Sequence, residues 1–183
     1  MKAAQTHKVQ AEKSEKKGQA NPMRDVIMEK VVLSIGGSGD SLEKGFKLIK
    51  LLSGRNPAKM ISTKRIPSLG VRPKLEVGAV VTVRKNLHDF LKKMLTATDN
   101  TLKRKQISEN SFSFGVKEYI EIPGIEYQRD IGIRGLDVTV TFKRAGKRIK
   151  LKKIKMGKVP KKQNVSKGEI IKFMEENFKT KFV

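Results

Sequence analysis

A chain that contains residues 59–84, KMISTKRIPSLGVRPKLEVGAVVTVR, must build a buried strand and hang a long polar loop from it. The first half of this stretch carries Lys59, Lys64, Arg65, Arg72 and Lys74 against one acid, Glu76, and is broken by Pro67, Gly70, Pro73 and Gly78. Proline fixes φ and removes a backbone donor, and glycine has no side chain to pack, so this half resists both helix and strand. Its charge keeps it out of a core. The second half, residues 79–83, is β-branched and apolar, the composition of a buried strand. The expectation is a cationic arm over residues 61–77 mounted on a rigid strand. Loops of this length in a compact domain are mostly functional or disordered.

The rest of the chain reads as the scaffold. Residues 26–35 (VIMEKVVLSI) are apolar on both faces, as in a central strand, and Gly36, Gly37, Ser38 and Gly39 end it. No Gly-Lys-Ser/Thr follows and no Gly-x-Gly-x-x-Gly is completed, so this turn is an entry into a helix rather than a nucleotide loop. Its exposed amides could still meet an RNA phosphate. Asp40 is the expected helix cap, with Glu43 as its reciprocal partner. Leu42, Phe46, Ile49 and Leu52 recur at helical spacing, Leu48 and Leu51 widen the stripe, and Gly54 stops it. Residues 57–61 form a short strand leading into the arm. Asn86, with Asp89, caps a second helix whose buried face is Leu87, Phe90, Leu91, Met94 and Leu95. His88, lacking a second ligand, is structural.

Residues 96–110 read as a polar connection. Residues 112–127 read as strand material interrupted at Pro123 and Gly124, with Phe112, Phe114, Tyr119 and Tyr127 mostly in the core. They do not match the octamer of the RNA-recognition sheet. Residues 136–142 alternate cleanly: Leu136, Val138, Val140 and Phe142 face one way, Asp137, Thr139 and Thr141 the other. A last helix opens with a capping box, Ser166 and Glu169, and a hydrophobic staple, Val165 and Ile170; Phe173, Met174 and Phe178 dock it. The element order predicts a single α+β domain, with a mostly antiparallel sheet and helices packed on one face. The other face is left for a partner. Residues 1–20 are expected to be a basic arm, disordered or ordered by a partner, or else a solvated tail. Residues 21–142 form the core. Residues 143–183 form a basic extension with its helix packed on that core.

Charge decides the kind of partner. The chain of 183 residues has 41 Lys plus Arg against 18 Asp plus Glu, a net charge of +23. Such self-repulsion calls for a polyanion. Residues 143–162 hold eleven cations and no acid. Of these, Lys143, Arg144, Lys147, Arg148, Lys150, Lys152 and Lys153 are the candidates for contact with that polyanion. With no Cys there are no disulfides, zinc ribbons or thiol chemistry. No run of about 20 apolar residues offers a membrane span. The N-terminus lacks the apolar run of a signal peptide, so a cytoplasmic protein is expected.

Catalysis has no footing. The only histidines are His7 and His88, and the acids lack the pairing of a metal-dependent nuclease. Asp130, beside Arg129 and Arg134, reads as a structural ion pair. No enzyme, cofactor or metal is expected. Lys outnumbers Arg, aromatics are 5% and Trp is absent. That balance favours phosphate contacts with a folded RNA over stacking on single strands. If roughly 6–10 phosphates are engaged, affinity falls by about 10³–10⁵ between low and moderate salt.

Three runs then carry a resemblance: NPMRDVIMEKVVLSIGGSG, GRNPAKMISTKRIPSLGVRPKLEVGAVVTVR and FSFGVKEYIEIPGIEYQRDIGIRGLDVTVTF. In this order and spacing, over residues 21–142, the chain resembles the family of the fifth large-subunit ribosomal protein. The basic stretch and final helix resemble its archaeal and eukaryotic type rather than the bacterial one. The resemblance implies a non-catalytic protein of the central protuberance that binds 5S rRNA and large-subunit rRNA. It also implies an arm that reaches the elbow of P-site tRNA, and contacts with other central-protuberance proteins and a small-subunit head protein, with no membrane partner. By motif, Lys64, Arg65, Arg72 and Lys74 are the tRNA-facing residues of the arm, and the 5S-facing positions are Ser34, Arg55, Thr82 and the strand end at Arg84. Ser34 stands where the bacterial type has Asn and Arg55 where it has Gln, implying a shorter contact at the first and a more electrostatic one at the second. The competing readings are a free RNA chaperone or regulator of structured RNA, and an RNA-processing enzyme, which has no positive support in the sequence.

Overall fold

The computed structural model describes residues 21–183; the basic arm expected over residues 1–20 lies outside them. In chain order the elements are β1 (Val26–Gly36), α1 (Asp40–Ser53), β2 (Ala58–Ile61), β3 (Glu76–Val83), α2 (Leu87–Thr96), β4 (Thr101–Leu102), β5 (Ile107–Ser108), β6 (Ser111–Val116), β7 (Leu136–Arg144), α3 (Lys167–Phe178) and β8 (Lys181–Phe182). Six strands pair antiparallel in the order β2-β3-β1-β7-β6-β5, and β4 with β8 makes a small parallel pair. This is the α+β domain expected, with a mostly antiparallel sheet. No helix among the described residues is long and apolar enough to cross a membrane.

Period-two alternation makes the sheet one-sided. Val31, Leu33 and Ile35 of β1, Ala79, Val81 and Val83 of β3, Phe112 and Phe114 of β6, and the four apolar residues of β7 are buried. Register aligns them: Leu33 lies opposite Val81 and Val138, and Val138 opposite Phe114. Leu48 and Ile49 of α1, Leu91 and Leu95 of α2, and Ile170 and Met174 of α3 close the same core. Phe142 stacks on Phe112 and meets Phe173 edge-on, which docks the last helix. Gly45 is required where α1 crosses β1, because a Cβ there would lie 2.9 Å from Ile35 Cγ2.

Several local expectations change. β1 is central, yet Val32 and Ser34 are only half-buried and Ile27 is exposed, because no layer among the described residues covers its second face. Leu51 is exposed, pointing about 180° from Leu42 at 3.6 residues per turn. Helix α1 is capped by Gly39 rather than Asp40; the glycine's φ of 58° lets the helix begin one residue earlier. Asn86 does hold the N-cap position of α2, but in a left-handed conformation with no side-chain cap. Gly54 ends α1 as expected, its N–H donating to Lys50 O.

The stretch 96–110 is more than a polar connection: Leu102 and Ile107 are buried anchors in β4 and β5. Strand β6 stops at Val116, and Tyr119 is buried with its hydroxyl accepting from Gln128 N–H at 2.9 Å. Tyr127 is exposed, whereas Phe112 and Phe114 are core. His88 stacks on Phe178. The ion pair expected of Asp130 does not form among the described residues; Arg134 turns instead to Ser41 Oγ at 2.8 Å.

The capping box of α3 forms and ties three segments together. Glu169 accepts from Ser166 N–H at 3.0 Å and from Arg144 Nη2 at 2.6 Å, while Val165 N–H donates to Asn110 Oδ1 at 2.8 Å. The Ser166 amide first, then the Arg144 guanidinium, hold Glu169 below the ordinary carboxylate range. A depressed folded-state pKa contributes stability that is full above the unfolded value and lost as pH falls through the folded one. Glu169→Gln is therefore expected to cost about 0.5–1 kcal/mol at neutral pH. Denaturation midpoints of variant and wild type should converge in acid; a constant gap down the pH scale would contradict this.

Candidate nucleic-acid interface

The uncovered face of the sheet is built from small, mostly polar residues. Thr82, Val32, Thr139 and Ser113 form one cross-strand row, and Val80, Ser34, Asp137 and Gly115 the next. Ser34 and Thr82 therefore share this face on neighbouring strands. Arg55 is exposed just past the Gly54 cap, and because Ala58 pairs with Val80 it lies toward the Val83 end of β3. Arg84, also exposed, extends β3 beyond that same end.

At this end the cations converge. Arg84, Lys143, Lys147, Arg148 and Lys152 line one recess of about 660 Å³. Glu29 also lines it, swung there by a bulge between Met28 and Lys30, and pairs with Lys147 at 3.1 Å. Arg144 is turned inward to Glu169, its side chain 16% exposed. Lys150 lines a neighbouring recess with Lys143, and Lys153 is exposed outside both. The cations are thus of two kinds. Arg144 and Lys147 are engaged with acids of the fold, while Arg148, Lys150, Lys152 and Lys153 face solvent.

The arm leaves from the opposite end. β3 runs eight residues from the arm's base at Glu76 to the strand end at Val83, about 23 Å apart at roughly 3.3 Å per step. The arm is a backbone-bonded hairpin. Ser62 N–H donates to Leu75 O, Lys74 N–H donates to Ser62 O, and Ile66 and Val71 exchange both bonds. Its tip is a single 3₁₀ turn, Pro67–Leu69, closed by Gly70 at φ 64°. Lys64, Arg65, Arg72 and Lys74 are all exposed along its two legs. Lys59 and Glu76 pair at 2.7 Å across the base, both well exposed, which adds little stability but matches the register of β2 and β3.

Asp137, Thr139, Ser113 and Gly115 were not singled out as site residues by the sequence. The alternation of β7 places Asp137 and Thr139 on the uncovered face, but their gathering beside Ser34 depends on pairing with β1 and β6.

Residues 76–173 match the C-terminus of the ribosomal L-five family. The chain is similar to proteins named large ribosomal subunit protein uL5. That of Archaeoglobus fulgidus is 39% identical over 171 residues, covering 91% of this chain and 96% of the relative. That of Nanoarchaeum equitans is 39% identical over 160 residues, covering 85% and 95%. One from Methanococcus maripaludis is 38% identical over 169 residues, covering 88% and 93%.

Proposed function

This chain belongs to the ribosomal L-five family, a family of structural and non-enzymatic proteins of the large ribosomal subunit, and from that premise we propose that it joins two RNAs through opposite ends of one sheet. Family membership carries with it a ribosome-associated, cytoplasmic location. In the proposed reading, 5S rRNA lies on the uncovered face and its Arg84 end, met by Ser34, Arg55, Thr82 and Arg84. Lys143, Arg148, Lys150, Lys152 and Lys153 add phosphate contacts to 5S or large-subunit rRNA. Arg144 and Lys147, also candidates for that contact, hold the segment in place through Glu169 and Glu29. The arm, with Lys64, Arg65, Arg72 and Lys74, reaches P-site tRNA. Neighbouring proteins of the central protuberance and a small-subunit head protein complete its surroundings. Residues 143–183 serve the 21–142 core as an RNA-binding extension.

The observation that supports this reading most is the one-sided sheet: helices cover one face, and the other is mostly polar, without a covering layer among the described residues, and flanked by a cluster of cations. Phosphate contacts position a nucleic acid, whereas the short hydroxyls of the face can meet its riboses and bases. Thr82→Phe tests the face separately from the charge. It is expected to weaken 5S rRNA binding by about tenfold, on the scale of one lost polar contact. The slope of log affinity against log salt should stay unchanged, because no phosphate contact is removed. Unchanged affinity would remove Thr82 from the interface.

A further inference from the structure

One acid sits where a basic RNA-binding protein has least reason to keep one. Asp137, the second residue of β7, is exposed on the uncovered face and forms no ion pair or side-chain hydrogen bond among the described residues. It lines a shallow recess of about 490 Å³ with Ser34, Gln106, Ser113, Gly115 and Thr139. That lining holds hydroxyls, an amide and a carboxylate but no cation, although Asp137 also borders Arg134 across a neighbouring recess, where the guanidinium is bonded to Ser41 Oγ. The recess at Arg84 has the reverse character, with five cations and one acid already paired. A phosphate suits the second recess and is repelled by the first.

A carboxylate is an acceptor on both oxygens. What it meets in an RNA must therefore present donors. Among the bases, only guanine carries two adjacent donors on one edge, N1–H and the N2 amino group. Cytosine and adenine each place a ring acceptor beside their amino group, and uracil flanks its single N–H with two carbonyls. Gly115 opens the approach, since a Cβ there would lie 3.3 Å from Asp137 Oδ1. We propose that Asp137 reads the Watson–Crick edge of an unpaired guanine of the bound rRNA, with Ser34 and Thr139 beside it as hydroxyl partners for the base or its ribose. This rests on the reading that 5S rRNA occupies the uncovered face, and it makes the recess a base-reading site distinct from the phosphate-binding one.

The test compares full-length wild type and Asp137→Asn on 5S rRNA, with affinity measured across a salt series and guanines probed with kethoxal, which reacts at N1 and N2. Expected is a loss of about 5–100-fold for D137N, the scale of a bidentate base contact, at unchanged salt slope. One guanine protected by wild type should become reactive in the D137N complex. If Asp137 only repels the RNA, removing its charge tightens binding, and equal or tighter binding by D137N overturns the inference. So does weaker binding with no change at any guanine, which would put the carboxylate on a ribose hydroxyl. Wild type that does not bind 5S rRNA at all would instead overturn the underlying reading, and this inference with it.

Discussion

Replacing Arg84, Lys143, Arg148, Lys150 and Lys152 together by Ala is expected to flatten the salt dependence of 5S rRNA binding. Each phosphate contact contributes roughly 0.7–0.9 to the slope of log affinity against log salt, so losing five removes about four units. Wild type engaging roughly 6–10 phosphates should lose about 10³–10⁵-fold in affinity between 50 and 200 mM salt; the variant should lose far less, from a much weaker start. Four of the five line the recesses around Lys143, and Arg84 shares one of them. Arg144 and Lys147 are left in place because they answer Glu169 and Glu29, and truncating them would report on folding. The fold should survive, since four of the five residues are exposed and Lys143 is half-buried at a strand end. A variant with the wild-type slope would mean that this surface meets no phosphate.

The arm gives the second large effect. Lys64, Arg65, Arg72 and Lys74 replaced by Ala should leave 5S rRNA affinity within about twofold and speed loss of P-site tRNA from ribosomes on the order of tenfold. The reason for the separation is geometric. The arm keeps its shape through backbone bonds at Ser62, Ile66, Val71 and Lys74, none of which needs the four side chains. All four are exposed, where substitutions usually stay within about ±0.5 kcal/mol of stability. The length of β3 then keeps them away from Arg84. Equal loss of 5S rRNA binding would show that the arm lies against 5S rRNA instead.

How far the sequence reaches can be followed residue by residue. The alternation at 136–142 gives the buried row of β7 correctly because period two is a property of the strand alone. The expectation that residues 26–35 are buried on both faces fails because apolar identity says nothing about whether a second layer exists. Val32 and Ile27 are where that reading parts from the fold. The Gly39 cap escapes the sequence because a positive φ leaves no trace in the neighbouring pattern, and Asp40 offers a cap-forming side chain one residue later. The arm's composition correctly forbids core, yet its hairpin bonding is carried by backbone atoms that composition does not describe.

In the candidate site, the limits are those of long-range pairing. Eleven cations in a row look alike, but Lys147 is singled out by Glu29, 118 positions away, and Arg144 by Glu169, 25 away. Asp130 fails in the opposite sense: adjacency to Arg129 and Arg134 suggests a pair, while Arg134 is drawn to Ser41 across the fold. Alternation alone places Asp137 on the wet face. Its place beside Ser34, Ser113 and Thr139 emerges only once β1 and β6 are set beside β7.

The two-ended account is tested most directly by RNA crosslinking within intact ribosomes carrying P-site tRNA, with photoreactive groups placed singly at arm position Arg72 and at Arg84. The account predicts that Arg72 crosslinks to tRNA and Arg84 to 5S rRNA, with little exchange between the two. Crosslinks from both positions to the same RNA would contradict it.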